Sequence, residues 1–388
     1  MCMYSANNED VFPSKLALNK NFCNRYAERL LLKNNILKCR HTVLVSPRRY
    51  GKSSLVHQVI SELALPSASV DLFLAHNDLA ITRRILQGVS EAISAIMPPS
   101  EKLLLKIQSF FSSFKVSLTA KFFSIEATHT GIVFDAVDNI FEALRSLAKL
   151  ARDQNNKIIF FIDEFQDIAA SENAKAIQGA IRHIAQETSD IVFVFSGSNR
   201  HLLLELFDDK SMPLYMLCDK LILERISSIE YHSHLQKLAQ ERWGQEISQH
   251  AFSQIMKHTE THTFYVNMLC HQLWQLNNLP DIEEVNQAWD QCFELEKRRL
   301  VAELEKLTKN QQDLLKALAL NPIKEPSGQE FVKYVGKAYS SIRQGIKSLT
   351  EKDMVYIVNK EDTGLPMLKK GQIRVLDPLL AYAVRKFS

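Results

Sequence analysis

The first part of the chain alternates short apolar runs with stretches in which apolar residues recur at helical spacing. Residues 42–45 form such a run, and residues 53–63, which follow it, have the periodicity of an amphipathic helix. Further apolar runs, separated from one another by helical stretches, occupy residues 69–75, 157–163, 191–195 and 220–223. Because nearly continuous apolar strands are typical of buried parallel sheets, this alternation predicts a doubly wound α/β domain over residues 1–226.

One segment of this region has a different pattern. Residues 109–128 partly alternate apolar residues, among them Phe110, Phe114, Leu118 and Phe122, with Ser, Lys and Thr. Alternation with period two indicates a half-buried strand rather than a helix. We therefore expect a β-hairpin inserted in the α/β domain at about residues 109–128.

The pattern changes twice more toward the C-terminus. Residues 227–307 have helical spacing throughout, which predicts a helical domain. From residue 308 onward the elements shorten, and two predicted helices are followed by two predicted strands. These helices cover residues 310–320 and 339–350, and these strands cover residues 354–358 and 372–376. Helices followed by a two-stranded wing is the order of a winged helix, so residues 308–388 are predicted to form one.

Composition narrows the class of protein. The 388 residues are 46% hydrophobic, which is enough for well-formed cores, and the formal net charge is only +3. This charge neither requires nor excludes nucleic acid as a partner, so any basic surface has to be local. No apolar run reaches the roughly 18 residues that a membrane span needs. Residues 1–10 lack a signal-peptide pattern, and the six cysteines are scattered. We therefore expect a cytoplasmic protein with reduced thiols and no membrane partner.

The segment with the clearest chemistry follows the apolar run at 42–45. Its sequence, Ser-Pro-Arg-Arg-Tyr-Gly-Lys-Ser at residues 46–53, fits the phosphate-loop pattern Gly-x4-Gly-Lys-Ser/Thr, except that a serine replaces the first glycine. In such a loop the backbone N–H groups and the helix N-terminus bind phosphate, and Gly51 lets the backbone approach. Lys52 would place its charge between the β- and γ-phosphates, and the Ser53 hydroxyl would bind Mg²⁺. The candidate nucleotide-binding residues are Ser46, Pro47, Arg48, Arg49, Tyr50, Gly51, Lys52, Ser53 and Ser54.

The alternative for this loop is a chance Gly-Lys-Ser at the start of a helix. The apolar strand before it and the helical pattern after it argue against chance, because strand, loop and helix is the context that a phosphate loop requires.

Two adjacent carboxylates follow the apolar sequence Lys-Ile-Ile-Phe-Phe-Ile. Asp163 is a candidate to hold Mg²⁺ through water, and Glu164 is a candidate to polarise the attacking water. The alternative is a solvated strand end, but carboxylates are costly to bury without a cation. After the next apolar run, Ser198 and Asn199 are candidates to contact the γ-phosphate or the water, and Arg200 is a candidate charge sensor or finger. For these three the alternative, a helix N-cap followed by a surface arginine, stays open.

These motifs together resemble those of the archaeal-type ATPases, a branch of the signal-transduction (STAND) P-loop ATPases related to AAA+ proteins. The resemblance extends over nearly the whole chain and is carried by residues 22–28, 46–55, 161–166, 196–201, 213–215, 262–266, 307–312 and 377–378. It implies ATP binding, slow hydrolysis, a helical lid at 227–307 and a C-terminal winged helix. The chain departs from the family at Ser46, where glycine is usual, and at residues 260–263, where Glu-Thr-His-Thr replaces the typical Gly-Gly-His-Pro.

Three hypotheses about function follow. The favoured one is an ATP-binding and ATP-hydrolysing molecular switch that uses ATP and Mg²⁺ and acts on an unidentified protein partner, as a monomer or a homo-oligomer. The second is an ATP-regulated protein that binds DNA through its winged helix, and the third is an inert nucleotide-binding scaffold. A DNA-binding face would use the basic residues Lys333, Lys337, Arg343, Lys347, Lys369, Lys370 and Arg374.

Overall fold

The computed structural model describes residues 11–13, 15–97, 117–119, 124–126, 135–326, 328–359 and 365–387. Its internal contacts divide the chain into two units. The first, here called the sheet unit, comprises Tyr26–Arg48 and Lys52–Leu223. The second, here called the C-terminal unit, comprises Glu224–Ser388, the short segment Arg49–Gly51 and the chain up to Arg25. The finer division of residues 227–388 into a lid and a winged helix, with a boundary at residue 307, stays a prediction.

A five-stranded parallel sheet is the centre of the sheet unit, with the strand order β2-β5-β6-β1-β7. Numbered in chain order, the strands are β1 (Thr42–Val45), β2 (Ser67–Asp71), β3 (Ser117–Thr119), β4 (Ser124–Glu126), β5 (Ile158–Asp163), β6 (Ile191–Gly197), β7 (Asp219–Ile222), β8 (Val355–Ile357) and β9 (Ile373–Val375). In the register of the sheet, Val45 lies beside Gly197, and Asp71 lies beside Asp163. Because parallel neighbours end together, the loops after β1, β5 and β6 meet at one edge of the sheet.

The strands of this sheet are joined by helices whose apolar faces are buried. Phe160, Phe193 and Phe195 are fully buried aromatic residues of β5 and β6. The side chains of Asn77 and Asp135 accept backbone N–H groups and thereby start the helices that follow them. The helices span Tyr26–Leu37, Lys52–Leu63, Asp78–Ile96, Ala136–Asp153, Ala174–Glu187 and Arg200–Asp208, and a 3₁₀ helix spans Phe165–Ala170.

Strands β3 and β4 pair with each other in an antiparallel arrangement, with Leu118 opposite Ile125. Both strands fall within residues 109–128, the segment for which a hairpin is predicted. The remaining residues of that segment lie outside the described residues.

The C-terminal unit combines helices with a two-stranded wing. Polar caps define where its helices begin; for example, Thr308 and Gln311 each bond the backbone N–H of the other. Strands β8 and β9 pair antiparallel, and Ile323 forms a bridge to Ile373 at the base of this wing. The helices span Ser228–Trp243, Gln249–Thr259, Thr263–Leu273, Ile282–Glu305, Lys309–Leu320, Gln329–Val335, Tyr339–Glu351 and Pro378–Lys386.

Across the part of the chain that the structure describes, no helix has both the length and the apolar character needed to cross a lipid bilayer.

The strand predicted at residues 69–75 is wrong at its C-terminal end, because β2 stops at Asp71. The Asp71 carboxylate accepts the N–H of Phe73 at 2.8 Å, a local bond that favours a turn. Leu74 then adopts φ +63°, and Phe73 and Leu74 are 45% and 61% exposed. The apolar residues after Asp71 therefore belong to the loop that follows β2 and not to the strand itself.

The face predicted for DNA contact is also corrected at one residue. Arg374 is only 6% exposed and bonds the buried carboxylate of Glu260 at 2.8 Å, so it cannot contact a nucleic acid in this arrangement. Lys337 is half-buried and bonds Asp313 at 2.9 Å. The other members of the predicted face, Lys333, Arg343, Lys347, Lys369 and Lys370, are exposed.

Two helical glycines provide a matched test of this packing. A Cβ atom on Gly88 would lie 2.3 Å from the Val70 side chain and 3.0 Å from that of Phe160, whereas a Cβ on Gly179 would meet nothing within 4 Å. We expect Gly88→Ala to lower the free energy of unfolding by about 1–3 kcal/mol, because it overpacks the contact between helix and sheet. Gly179→Ala should raise it by about 0.5–1 kcal/mol through helix propensity.

Chemical unfolding followed by circular dichroism measures both changes. Equal effects of the two substitutions would contradict the close approach of the helix Asp78–Ile96 to β2 and β5.

Candidate nucleotide-binding site

The loop between β1 and the helix Lys52–Leu63 encloses a buried ammonium group. Lys52 is 6% exposed, and its Nζ donates to the carbonyl oxygens of Ser46 at 3.2 Å and Pro47 at 3.0 Å. Gly51 has φ +85°, a left-handed conformation that suits glycine and turns the chain into the helix. Together, the loop and the helix N-terminus form the type of concave, positively charged turn that binds phosphate.

The hydroxyl of Ser53 and the carboxylate of Asp163 lie side by side, as the sequence predicts. Ser53 Oγ donates to Asp163 Oδ2 at 2.6 Å. The other carboxylate oxygen, Oδ1, accepts the hydroxyl of Ser196 and the backbone N–H of Glu164, the latter at 3.0 Å. This pair of hard oxygen ligands at a strand end is suited to a divalent cation such as Mg²⁺.

Glu164 is held in a fixed orientation by groups from the next strand end. Its Oε2 accepts the N–H of Ser198 at 3.1 Å, the hydroxyl of Ser198 at 2.7 Å and the side-chain amide of Gln166 at 2.7 Å. Burial alone would raise the pKa of Glu164, but these hydrogen bonds and the charge of Lys52 outweigh it and lower the pKa below the ordinary value. Glu164 is therefore an anion at neutral pH.

The three candidates after β6 have different surroundings. Ser198 belongs to the site, because its hydroxyl donates to Glu164 and accepts a hydrogen bond from Arg48 Nε at 3.0 Å. The side chain of Asn199 instead accepts the N–H of Leu202 at 3.2 Å and caps the helix Arg200–Asp208. Arg200 is the half-buried first residue of that helix.

Residues that the sequence did not single out complete this arrangement. Ser196 bonds Asp163, and Gln166 bonds Glu164. Gly197 makes room for Gln166, because a Cβ at this position would stand 2.0 Å from its Oε1. Two sequence signals for these residues were available. Ser196 stands at the end of an apolar run, and Gln166 comes two residues after Glu164. Neither residue type by itself indicates a role.

The tip of the loop, Arg49–Gly51, has its own set of contacts within the C-terminal unit. Tyr50 is 3% exposed, its hydroxyl accepts a hydrogen bond from Arg225 Nε at 3.2 Å, and its ring packs edge-on against His262. The Arg49 guanidinium lies 4.0 Å from the ring centre of Phe264. These two side chains thus contact protein. The predicted nucleotide contacts of Arg49 and Tyr50 stay predictions.

Comparison with known proteins agrees with this fold. Residues 301–382 match the family model described as "Probable winged helix domain". Among solved structures, a Walker-type ATPase of Pyrococcus abyssi has a TM-score of 0.68 at 16% identity, covering 97% of this chain and 99% of that protein. The ORC2 protein of Aeropyrum pernix, solved in ADPNP–ADP complexes, has a TM-score of 0.59 at 15% identity, covering 97% of each chain. No curated protein matches the sequence significantly.

These likenesses establish the class of fold. The chain has the α/β fold of P-loop ATPases, with a parallel sheet and a C-terminal winged helix, as the sequence predicts.

The contacts of Ser198 can be tested without any ligand. Ser198→Ala removes the hydroxyl that joins Glu164 to Arg48, and we expect it to lower the free energy of unfolding at pH 7 by about 1 kcal/mol. The hydrogen bonds lower the folded-state pKa of Glu164, so their stabilisation is complete above the ordinary value of 4.5 and is lost as the pH falls through the folded-state pKa. The deficit of the variant should therefore shrink in acid.

Ser233→Ala, on an exposed helical face, is the matched control and should change stability by no more than about 0.5 kcal/mol. Urea unfolding at a series of pH values provides the measurement. A Ser198→Ala deficit that stays constant into acid would show that its hydroxyl does not act through Glu164.

Proposed function

We propose that this chain binds and hydrolyses ATP with Mg²⁺ and works as a nucleotide-dependent molecular switch. The observation that carries the proposal is the convergence, in a P-loop ATPase fold, of the buried Lys52, the 2.6 Å pair of Ser53 and Asp163, and the anionic Glu164. A buried cation, a metal-binding oxygen pair and an oriented base are the three groups that phosphoryl transfer to water requires.

Lys52 is the group that would bind the terminal phosphates of ATP. Its ammonium group now donates to loop carbonyls, and phosphate oxygens, which carry more negative charge, are stronger acceptors for the same donors. The loop holds the side chain at the place where an anion can be bound by the backbone N–H groups and the helix N-terminus.

Ser53 and Asp163 fit Mg²⁺ as a pair. Among the described residues, no group of three or more His, Cys, Asp and Glu side chains could hold a metal by itself. Mg²⁺ usually takes only one or two protein oxygens and fills its other positions with phosphate and water, so two ligands suffice. When bound, Mg²⁺ would neutralise charge on the phosphates, while Ser196 would keep the Asp163 carboxylate in place.

Glu164 is the proposed general base. Within the described part of the chain, the three hydrogen bonds of Glu164 all go to Oε2, so Oε1 is the oxygen that can accept a proton from a water molecule. Ser198 and Gln166 fix the direction of that oxygen, and the lowered pKa keeps it ionised. A base with a low pKa is a weak one, which is consistent with slow hydrolysis and with a switch rather than a motor.

We also infer the finer family assignment. The Ser-Pro-Arg-Arg-Tyr-Gly-Lys-Ser loop, the Asp163-Glu164 pair and the winged-helix match support a place in the archaeal-type branch of the STAND ATPases. In this proposal residues 1–226 bind the nucleotide, residues 227–307 are the lid, and residues 308–388 report the nucleotide state to a partner.

Glu164→Gln tests the proposal, because glutamine keeps the shape of the side chain but cannot take a proton. We expect ATP affinity to hold or rise and single-turnover hydrolysis to fall by roughly 10²-fold or more, the usual contribution of general-base catalysis. Lys52→Ala is the matched control for binding and should abolish ATP affinity in a calorimetric titration.

Two results would contradict the proposal. Near-normal affinity of Lys52→Ala would mean that ATP is not bound by this loop. Unchanged hydrolysis in Glu164→Gln would place the base elsewhere, with the neighbouring Asp167 as the next carboxylate.

The alternative function is ATP-regulated DNA binding, and one surface favours it. The helix Tyr339–Glu351 exposes Tyr339, Arg343 and Lys347 and buries Ile342 and Leu349. Basic and aromatic side chains on an exposed helix are suited to phosphates and bases.

If this surface binds DNA, Arg343→Glu should weaken duplex binding and reduce the slope of log affinity against log salt by about 1. Lys257→Glu, a charge reversal at another exposed residue, in the predicted lid, is the control and should change neither. Fluorescence anisotropy of labelled duplex at several salt concentrations, with and without ATP, measures both. Equal behaviour of the two variants would leave the winged helix as a protein-contact module.

A further inference from the structure

One arginine links the tip of the phosphate loop to the rest of the C-terminal unit. Arg225 is 8% exposed, and its Nε donates to the hydroxyl of Tyr50 at 3.2 Å. A second arginine, Arg25, donates to the backbone carbonyl of Tyr50 at 2.8 Å and to that of Glu224 at 2.9 Å. Two buried guanidinium groups thus hold the loop tip, one at its backbone and the other at its side chain.

The remaining donors of Arg225 go to two other segments. One terminal nitrogen donates to the backbone carbonyl of Glu260 at 2.8 Å, and the other donates to that of Leu376, directly after β9, at 2.7 Å. The guanidinium plane also lies 4.1 Å from the ring centre of Tyr356 in β8. Arg225 therefore joins the loop tip, the turn before the helix Thr263–Leu273 and both strands of the wing.

Glu260 closes this arrangement. Its carboxylate, in a residue only 1% exposed, accepts Arg374 of β9 at 2.8 Å and Arg225 at 3.4 Å. Burial opposes ionisation of this carboxyl, but the charges of Arg374 and Arg225 prevail and lower its pKa. Tyr50, Arg225, Glu260 and Arg374 form a continuous buried chain of contacts, here called the Arg225 cluster.

We propose that Arg225 is a positioning residue for the phosphate loop, and that the Arg225 cluster transmits the position of the wing to the tip of that loop. A change of nucleotide at the loop would move Tyr50, and the same contacts would then carry the change to β8 and β9. The inference rests on the proposed function, because it specifies how an ATP site in this chain is coupled to its winged helix.

The charges of the cluster make it sensitive to small displacements. Two guanidinium groups share one carboxylate, so the cluster carries an excess positive charge in a buried place. If β9 moves away with Arg374, the Glu260 carboxylate keeps its bond to Arg225, and the pair draws closer at the expense of the bond from Arg225 to Tyr50. Buried ion pairs tolerate few arrangements, because an unpaired buried charge is strongly unfavourable, and this favours discrete states over gradual adjustment.

A merely structural cluster would also hold these segments together, so the test must separate transmission from stability. We therefore use a double-mutant cycle between Tyr50 and Arg374. These two residues do not bond each other and are connected through Arg225 and Glu260 of the cluster. Tyr50→Phe removes only the hydroxyl at the loop end. Arg374→Gln removes the guanidinium group at the wing end, and with it both the charge and the bonds to Glu260. Lys337→Gln, which breaks the bond to Asp313 elsewhere in the same unit, is the matched control.

The first measurement is amide hydrogen exchange of the peptide spanning residues 46–53 in nucleotide-free protein. We expect Arg374→Gln to accelerate exchange at residues 49–51 by about threefold or more, because local opening becomes easier when the loop tip loses its anchor. The acceleration should be absent in Lys337→Gln, and in the Tyr50→Phe background Arg374→Gln should add nothing further.

The second measurement is ATP affinity by calorimetry. Tyr50→Phe should weaken binding by about two- to tenfold, the range of one net hydrogen bond. Arg374→Gln should weaken it in the Tyr50 protein but not in the Tyr50→Phe background. If Arg374→Gln does not fold, as judged by circular dichroism, Arg374→Lys takes its place, because lysine keeps the charge but not the forked geometry.

The outcomes are distinct. Non-additive effects of Tyr50→Phe and Arg374→Gln on both exchange and affinity support transmission. Additive effects, or an equal response to Lys337→Gln, would overturn it. If the unaltered protein binds no ATP, the proposed function fails, and the hydrogen-exchange cycle still decides whether the wing and the loop tip are coupled.

Discussion

The parallel pairing of β1, β6 and β5 is the constraint on which the candidate site depends. Strand β6 lies between the strand that leads into the phosphate loop and the strand that ends in Asp163, so these two never pair directly. The end of β6 bridges the gap: Ser196 bonds Asp163, and Ser198 bonds both Glu164 and Arg48. Because all three strands run in the same direction, these polar groups reach one edge and satisfy one another. An antiparallel β6 would have placed its carboxyl end at the opposite edge.

Electrostatics then determine which polar groups this edge can hold. Two carboxylates beside a parallel sheet would be unfavourable without compensation, and each is compensated differently. Asp163 is bonded by two hydroxyls and a backbone N–H, whereas Glu164 relies on Ser198, Gln166 and the charge of the buried Lys52. The ammonium group of the lysine donates to the carbonyl oxygens of Ser46 and Pro47, and its charge also stabilises the Glu164 carboxylate.

Local patterns predicted the elements well and long-range contacts poorly. The strand Thr42–Val45, the helix that begins at Lys52 and the strand that ends at Asp163 could be predicted because each is determined by neighbours in sequence. The prediction that β2 continues beyond Asp71 was wrong, because an apolar run does not reveal where a chain leaves a sheet. The sequence also assigned Arg374 to a DNA-binding face. Its ion pair with Glu260 could not be foreseen, because the two residues are more than 100 positions apart and no local pattern connects them.

The surroundings of the Arg49 and Tyr50 side chains could not be predicted for the same reason. The motif predicts that both residues bind nucleotide. Only the fold shows that Phe264, His262 and Arg225 contact their side chains. Ser53 with Asp163 was the opposite case. Their pairing follows from the geometry of parallel strand ends, so two distant sequence motifs were sufficient to bring them together.

The turn at Glu260 and Thr261 gives a physical reason for the departure of this chain from the family it resembles. Both residues adopt the left-handed backbone conformation, with φ +47° and +57°. For a residue other than glycine this conformation lowers stability by about 1–2 kcal/mol. Glycines at both positions would relieve that strain, but they would leave Arg225 and Arg374 buried without a counter-charge, which is a larger loss. The strained glutamate and the two arginines are therefore interdependent. Glu260 is tolerated in this turn because the arginines need its charge, and the arginines can be buried because that charge is present.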